Sequence, residues 1–417
     1  MGRPRFEWSS LPVTALISLL SGVSLLVWNT PASAIPAYAR RYDLACSACH
    51  APIPPRLNNV GEVYRRWGFR LPDADENGNL IEKVIPAHGI GDAASVVGNF
   101  HIERGAEKTP GENQGTMTLD EVSLVSGTSI GDHYSTQVIF LPRNSEGDAE
   151  LENAEFQGNL GKPSSRWGLR AGLMETNWWM PAHDGALTLA MPMVFDEMAA
   201  APVGDFAGFG LGVNQVGAEA GYTYSRLSKG KLWSTMLSAA AYNGVQEDGS
   251  AANHDVAGGV DVLLQAQQFF GSRNSGGVFY YHGRTVVDAL GELPVPGPFS
   301  DRFTRYGAEA AYSPKDWIDV DAGYVSGKDE SEELTRDVTL RGGYAQIMGS
   351  PIEHWVAIYR WEQVDPDVDT GGDLIRSDVL STTYHALDNV FLTAEYNEIK
   401  SGEVKAHTVI GSIKLTF

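Results

Sequence analysis

From about residue 93 to the end of the chain, apolar and polar side chains alternate with a period of two. In the segment WIDVDAGYV, Ile318, Val320 and Tyr324 alternate with acidic and small residues. The segments RYGAEAAY and NVFLTAEYN follow the same rule. A period of two places the apolar side chains on one face of a β-strand. The pattern therefore predicts a long series of strands, each with one apolar and one polar face.

Two folds use such strands: a soluble sandwich buries the apolar faces together, whereas an outer-membrane barrel turns them to lipid. Aromatic residues near segment ends are typical of the girdles of a barrel, and the chain ends on Phe417, which resembles the terminal signal of barrel proteins. These aromatic residues are Tyr312, Tyr324, Trp355, Tyr359 and Trp361. We count about sixteen candidate strands, with a range of roughly fourteen to eighteen. The sequence thus predicts an all-β outer-membrane β-barrel of antiparallel strands over residues 93–417.

Residues 1–34 have the pattern of a secretory signal peptide. Arg3 and Arg5 precede an apolar run over 11–28, and Ala32-Ser33-Ala34 forms a small-residue cleavage site. The alternative is an uncleaved membrane anchor, because the run approaches the length of a bilayer span. Cleavage after Ala34 fits the small-residue site better. We therefore expect export and a final location in the outer membrane of a Gram-negative bacterium.

Between the signal peptide and the barrel the period changes. Leu57, Val60, Tyr64 and Trp67 are spaced by three and four residues, which predicts one apolar stripe of a short helix. Pro55 suits the first turn of this helix and Gly68 its end. Residues 35–72 are therefore expected to form a short α-helical N-terminal module, too small to have a core of its own.

Residues 73–92 are predicted to form a linker. Its beginning, DADENGN, matches the opening of a calcium-binding loop at Asp73, Asp75, Asn77 and Gly78. The twelfth position of that loop requires glutamate, and the chain has Val84 there. A polar turn is the better interpretation, and an ion site remains the alternative.

The charge of the chain excludes one class of function. Its 31 basic and 52 acidic residues give a formal net charge of −21 at pH 7. A nucleic-acid-binding protein needs a basic surface to neutralise phosphates. We therefore expect no nucleic-acid partner, and the lipid of the outer membrane as the surroundings of the barrel.

Both cysteines of the chain lie in the segment LACSACHAP, as the motif Cys46-x-x-Cys49-His50. In this motif two thiols attach to the vinyl groups of a haem and the adjacent imidazole binds its iron from one side. A disulfide is an alternative in an oxidising compartment. A zinc site would need further ligands at matching spacing. We expect one covalently attached haem c, bound by Cys46, Cys49 and His50, with His50 as axial ligand.

The second axial ligand is less well defined by the sequence. His101 falls on the inward-facing side of the first predicted strand and is our candidate. The longest connection between strands, 177–211, is a loop that we expect to fold into the lumen, and its thioethers are also possible ligands. The competing side chains are His88, Met180, His183, Met191, Met193 and Met198. Equally, 177–211 is an apolar plug or an outer loop whose methionines fill gaps.

The stretch AIPAYARRYDLACSACHAPIPPRLNNVGEVYRRWGFRLP resembles the fused outer-membrane monohaem cytochrome c–porin family known from iron-oxidising bacteria. Pro36-Ala37-Tyr38-Ala39-Arg40 corresponds to the Pro-x-Phe-Ala-Arg stretch of that family, with tyrosine for phenylalanine. Gly61, Tyr64, Gly68 and Phe69 correspond to its helix and Gly-aromatic ending. Arg41-Tyr42 departs from the usual Gln-Thr. The resemblance is specific over residues 35–72 and only architectural over the barrel.

The resemblance implies extracellular electron transfer. An extracellular donor such as Fe(II) would pass electrons through the haem to a periplasmic electron carrier, with oxidation of Fe(II) at the cell surface as the associated reaction. A porin-like diffusion channel, in which the haem module serves assembly or sensing, is the alternative. A haem enzyme is less favoured, because no acid–base pair accompanies the motif.

Overall fold

The computed structural model describes residues 37–51, 56–85, 94–107, 113–143, 149–176, 188–196, 214–243, 260–287, 299–331, 337–368, 374–387, 389–402 and 404–416. No described helix has both the length and the apolar composition that a bilayer crossing requires. The predicted signal peptide, His88 and Phe417 lie outside the described residues.

The helices are short. They are α1 Ala37–Tyr42, α2 Asn59–Arg66 and α3 Met193–Asp196, with a 3-10 turn at Cys46–Ala48. Two short strands, β1 Leu71–Ala74 and β2 Leu80–Lys83, form an antiparallel hairpin of their own. Sixteen further strands follow: β3 Ala94–Glu107, β4 Asn113–Ile130, β5 Tyr134–Arg143, β6 Glu150–Lys162, β7 Ser165–Met174, β8 Gln215–Ser228, β9 Lys231–Tyr242, β10 Asp261–Phe270, β11 Asn274–Val287, β12 Phe299–Lys315, β13 Ile318–Ser331, β14 Val338–Gly349, β15 Trp355–Asp365, β16 Ile375–Leu387, β17 Val390–Ser401 and β18 Val404–Thr416.

The sixteen strands β3 to β18 form one closed antiparallel barrel. Each strand pairs with its neighbours in sequence, and β18 pairs with β3 to close the sheet. Closure satisfies the backbone hydrogen bonds of every strand and leaves no free edge. The predicted fold class and strand number are confirmed.

Alternation along the strands separates a lipid face from a lumen face. At least half of the side-chain surface is exposed on the outside of the barrel at Leu169, Leu237 and Leu380. The neighbouring residues on the same strands, Arg170, Met236 and Val379, are buried inside. The five aromatic residues of the predicted girdles are all exposed: Tyr312, Tyr324, Trp355, Tyr359 and Trp361. An exposed apolar band with aromatic residues is what a bilayer requires of a barrel surface. The chain is an outer-membrane barrel of a Gram-negative bacterium, as predicted.

The two ends of the barrel differ. Turns of a few residues join β4 to β5, β10 to β11 and β16 to β17 at one end, here called the short-turn end. The strand ends that longer connections join, such as those of β7 and β8 and of β9 and β10, are at the other end, here called the long-loop end. Barrels of this class keep short turns in the periplasm and long loops outside the cell. The short-turn end therefore faces the periplasm.

The residues before the barrel contain more regular structure than predicted. Helix α2 begins at Asn59, later than the start predicted near Pro55, because the Asn58 side chain caps it. Gly68 follows the helix with φ of 68°, as expected for a helix end. Part of the predicted linker forms the β1–β2 hairpin. This hairpin was missed because Pro72 and the polar turn weaken the strand pattern.

Candidate cofactor-binding site

The helical module, residues 37–72, lies inside the short-turn end of the barrel. The Asn59 amide donates to the carbonyl oxygens of Gly271 at 2.9 Å and Asn274 at 2.8 Å. Arg66 donates to the inward-facing Gln267 at 3.1 Å. The fully buried Trp67 packs with Leu232, Met236 and Phe269 of the barrel wall. The barrel therefore provides the core that this short module cannot form alone.

The cassette, residues 46–50, forms a single tight turn. The amides of Cys49 and His50 both donate to the carbonyl oxygen of Cys46, at 3.2 and 2.9 Å. Cys46 and Cys49 are not joined by a disulfide. Burial, with a further effect of neighbouring Cys46, raises the pKa of Cys49 to about 11. Two cysteine side chains and one imidazole are thus presented by one turn of backbone.

The His50 ring has a defined hydrogen-bond partner. Its Nδ1 lies 3.1 Å from the carbonyl oxygen of Arg56. A carbonyl oxygen can only accept, so Nδ1 donates in this contact, and in the neutral imidazole Nε2 then carries the lone pair. Histidines that bind metals are usually oriented in this way by a carbonyl or carboxylate.

Asn58 connects the cassette to helix α2. Its Oδ1 accepts from the amides of Val60 and Gly61 at 2.9 and 3.0 Å, which caps the helix. Its Nδ2 donates back to the cassette carbonyls of Ser47 and Ala48 at 3.3 and 3.1 Å. One side chain therefore fixes the distance between the cassette and the helix.

Gly61 allows a close approach between the same two segments. A Cβ atom at this position would lie 2.3 Å from the carbonyl oxygen of Cys49, which real Cβ atoms do not do. Any larger residue would push α2 away from the cassette. The glycine is needed here for the absence of a side chain.

Two cavities flank the cassette. The larger, of about 330 Å³, is lined by Cys49, His50 and side chains of the module and of the barrel wall. The smaller, of about 100 Å³, is lined by Cys46, Cys49 and His50 together with Tyr42, Leu44, Leu71 and Phe391. The combined space is in the range of about 300–1,000 Å³ typical of ligand pockets. Cys49 and His50 thus lie between two spaces that a flat cofactor could join.

Aromatic rings form one wall of both cavities. Tyr38 and Phe69 stack with ring centroids 5.3 Å apart, and Tyr64 meets both rings edge to face. Tyr42 packs on Tyr64 at 5.7 Å. These contacts lie in the preferred range for aromatic pairs. The wall excludes water from one side of the cassette.

Charged residues surround the larger cavity, in pairs. Arg56 forms an ion pair with Asp321, Arg273 with Asp319, and Arg170 with Glu155 at 2.9 Å. Arg65 binds Glu62 and Glu175 at 3.3 and 3.0 Å. The pairs of Arg56 with Asp321 and of Arg65 with Glu175 join the module to the barrel. The other two arginines pair with carboxylates within the barrel wall. A cofactor with acidic groups would meet four guanidinium groups here.

The sequence motif identified Cys46, Cys49 and His50 but not the residues that position them. The structure shows three further residues that hold the cassette in place: Asn58, Arg56 and Asp321. The helix-capping preference of asparagine was a signal for Asn58. Nothing in the sequence relates Arg56 to Asp321, because 265 positions separate them.

His101 lies on the inward-facing side of β3, since its neighbours Phe100 and Ile102 are exposed on the outside. It is not among the described residues that line the two cavities. Met193 is buried in an apolar cluster of the lumen and also lines neither cavity. Met180, His183 and Met198 lie outside the described residues. The second axial ligand therefore stays a prediction.

The described part of the loop 177–211 lies within the lumen. Residues 188–196 contact inward-facing charged groups: the amides of Leu189 and Ala190 donate to Glu395 at 2.7 and 2.6 Å. The Met193 amide donates to Glu362 at 2.5 Å, and Arg360 donates to the Ala190 carbonyl at 2.7 Å. These buried charges hold the loop by its backbone.

An apolar cluster accompanies this loop. Met193 and Val194 pack against inward-facing side chains of the barrel wall, nearly all of them fully buried. The wall residues are Met174, Ala240, Tyr242, Leu263, Phe279, Tyr281, Phe303, Val325, Leu340, Tyr344 and Val364. A diffusion channel has a polar, water-filled lumen. This apolar filling is the opposite of such a lumen.

The calcium-like segment forms the turn of the β1–β2 hairpin. The Asp75 carboxylate accepts hydrogen bonds from the Asn77 and Asn79 amides and from the Asn79 side chain, at 2.7 to 2.9 Å. The hydrogen bonds that Asp75 accepts within the turn account for an acidic residue at this position without a bound ion.

No protein-family model matches the chain, and no curated protein matches its sequence. Solved structures match its fold. OmpT of Vibrio cholerae, in its outer-membrane expressed form, superimposes with a TM-score of 0.53 at 11% identity, covering 80% of this chain and 100% of that one. The anion-selective porin from Comamonas acidovorans gives a TM-score of 0.52 at 10% identity, covering 78% and 98%. The chain thus has the fold of a porin-type outer-membrane barrel.

Proposed function

We propose that this protein is an outer-membrane electron-transfer protein that carries one covalently bound haem c inside a porin-type barrel. It would pass electrons from an extracellular donor, such as Fe(II), to a periplasmic electron carrier. The observation that supports this most directly is the hydrogen bond from His50 Nδ1 to the Arg56 carbonyl oxygen. It leaves Nε2 as the ring nitrogen with a lone pair for iron.

The residues present fit a c-type haem. Cys46 and Cys49 would form the thioether bonds, and His50 would be one axial ligand. Two partly buried cysteines beside a cavity suit addition to vinyl groups, and the aromatic wall of Tyr38, Tyr64 and Phe69 suits a flat apolar ring. Arginine side chains on the cavity wall suit the propionate groups.

The bound haem would supply a single-electron redox centre. The chain itself sets the surroundings of that centre. Asn58 and Arg56 hold the cassette and orient the His50 ring, while the aromatic wall keeps water from one side. An imidazole whose Nδ1 donates a hydrogen bond would be a better electron donor to iron, which favours the oxidised state.

The position of the module supports electron exit on the periplasmic side. It lies at the short-turn end, which faces the periplasm, so a periplasmic carrier could approach the cassette closely. The acidic surplus of the chain, −21 overall, favours a cationic donor or carrier at either mouth.

The alternative function is a diffusion channel whose haem module serves assembly or sensing. The porin-type fold is the observation in its favour. The apolar cluster around Met193 and Val194 argues against it, because it occupies lumen that a solute would have to cross. We therefore place electron transfer first.

The test uses the full-length protein, produced with a c-type haem attachment system and placed in liposomes. We expect covalently bound haem by mass and absorbance, and reduction of this haem when Fe(II) is added on the long-loop side. Cys46→Ala together with Cys49→Ala should abolish covalent haem. His50→Ala should keep covalent haem but change its spectrum, while His133→Ala, an exposed turn histidine, should behave as wild type.

Two results would contradict the proposal. Wild-type protein without covalent haem would exclude the cofactor. Haem that dithionite reduces but external Fe(II) does not would exclude Fe(II) as donor, and solute flux independent of the cysteines would then favour the channel.

A further inference from the structure

A row of basic side chains crosses three strands on the outer surface of the barrel. In the strand register Arg376 of β16 lies opposite Lys400 of β17, and Lys400 lies opposite Lys405 of β18. Their side chains point outward, because the residues of opposite parity, such as Val379 and Glu395, are buried in the lumen. We call these three residues the basic row.

Nearby carboxylates neutralise the basic row only in part. Glu398 binds Lys400 and lies 2.9 Å from Lys405, and Asp378 lies 3.9 Å from Lys400. Within the described part of the chain, no hydrogen bond or ion pair engages Arg376. Among the described residues, two carboxylates therefore lie against three cationic side chains. Like charges on neighbouring strands repel each other, so the row favours a further anion.

The row lies above the aromatic boundary of the membrane. The Tyr359 hydroxyl donates to Asp378 at 2.7 Å and the Tyr396 hydroxyl donates to Glu398 at 3.1 Å. Tyrosines with apolar rings below and polar partners above mark the interface between hydrocarbon and headgroups. The row is therefore at the level of lipid headgroups.

The row lies close to the long-loop end of the barrel. Ser401 pairs with Val404, so β17 and β18 are joined by a short turn directly above Lys400 and Lys405. Below the row, Leu380 and Val409 form an exposed apolar surface. A ligand with an anionic head and acyl chains would match both parts of this surface.

We propose that the basic row binds the phosphate groups of the phosphorylated glycolipid, lipopolysaccharide, in the outer leaflet of the membrane. Arginine binds phosphate through two parallel hydrogen bonds, and the two lysines add charge. The acyl chains lie on Leu380 and Val409. A basic row on a chain with a net charge of −21 is not a consequence of general composition. The proposal does not depend on the haem.

The test compares two triple variants of the full-length protein. Arg376→Ala with Lys400→Ala and Lys405→Ala removes the basic row. Lys162→Ala with Lys231→Ala and Lys315→Ala removes three exposed lysines from the short-turn end and is the matched control. Bisphosphorylated lipid A, its dephosphorylated form and inorganic phosphate are the probes. Binding is measured in detergent by native mass spectrometry and as the glycolipid retained on purification.

We expect the wild type and the control to retain lipid A, and the basic-row variant to bind it more weakly by about tenfold or more. Dephosphorylated lipid A should bind weakly to all three proteins. Arg376→Gln alone should give a partial loss, which keeps the test valid if the triple variant folds poorly.

Three results would overturn the proposal. The first is equal retention of lipid A by the wild type and the basic-row variant. The second is an equal loss in the control, which would indicate non-specific charge. The third is inorganic phosphate binding as tightly as lipid A, which would indicate a simple anion site.

Discussion

At the scale of single residues, the chemistry of the site depends on a few side chains outside the motif. The motif alone indicated Cys46, Cys49 and His50, because two thiols and an adjacent imidazole have few other uses at that spacing. The sequence could not indicate that Asn58 binds two cassette carbonyls while it caps α2. Such contacts depend on the path of the backbone between residues 50 and 58.

Asn58→Ala should loosen the cassette without affecting the barrel. The variant loses a helix cap, which costs about 1 kcal/mol or somewhat more. It also loses the partners of two carbonyl groups. We expect the amides of α2 to exchange with deuterium about tenfold faster. Asn77→Ala, in the exposed hairpin turn, is the control, and unchanged exchange in Asn58→Ala would contradict the capping role.

The raised pKa of Cys49 predicts slow alkylation in protein without cofactor. A thiol with a pKa of about 11 is almost entirely protonated at pH 8, and only the thiolate reacts. We expect alkylation of Cys49 on the order of a hundredfold slower than for the same protein unfolded in guanidinium. The rate should rise with each pH unit up to about pH 11. Mass spectrometry of the cassette peptide gives the rate, and equal rates in the folded and unfolded protein would show that Cys49 is not buried.

At the scale of elements, the strands were predictable because one face of each strand meets lipid and the other meets the lumen. The alternation of apolar and polar residues along the sequence reflects this difference directly. The start of α2 was not, because Pro55 and Asn58 both suit a helix beginning. The position of residues 188–196 inside the lumen could not be predicted in detail from the sequence either. Their partners Arg360, Glu362 and Glu395 lie on strands that follow much later in the chain.

Glu362→Ala with Glu395→Ala should release this loop from the lumen. The loop loses the acceptors of three backbone amides, and Arg360 is left as a buried charge without its carboxylate, which costs roughly 3–5 kcal/mol. In planar bilayers we expect little conductance from the wild type and clear channel conductance from the variant.

Glu353→Ala, an exposed side chain at the short-turn end, serves as control and should stay closed. Open-channel conductance in the wild type would mean that the apolar cluster around Met193 does not close the lumen, and would favour the diffusion channel.

At the scale of the whole molecule, the barrel, its strand number and its membrane location were predictable from the period and the aromatic residues. The enclosure of the module was not predictable residue by residue, because it depends on contacts such as Asn59 with Gly271 and Arg56 with Asp321. The small size of the module indicated only that it needed support from elsewhere.

The orientation of the barrel predicts opposite accessibility for its two ends. In a Cys46→Ala, Cys49→Ala background, Asn77→Cys should be labelled by an impermeant maleimide only after the outer membrane is opened. Val404→Cys, at the top of β18, should be labelled in intact cells. The reverse pattern would place the module on the outside of the cell.

The contacts between the module and the barrel wall also determine whether haem attachment comes before or after folding of the barrel. The module contacts strands β9, β10, β11 and β13 through Trp67, Asn59 and Arg56, and these strands are synthesised long after the cassette. Once those strands close, the cassette lies inside the end of the barrel, and an attachment enzyme has less access to its thiols than in the unfolded chain. Under the proposed function, haem is therefore attached to the exported chain while it is still unfolded in the periplasm. The barrel then folds around a cofactor that is already in place.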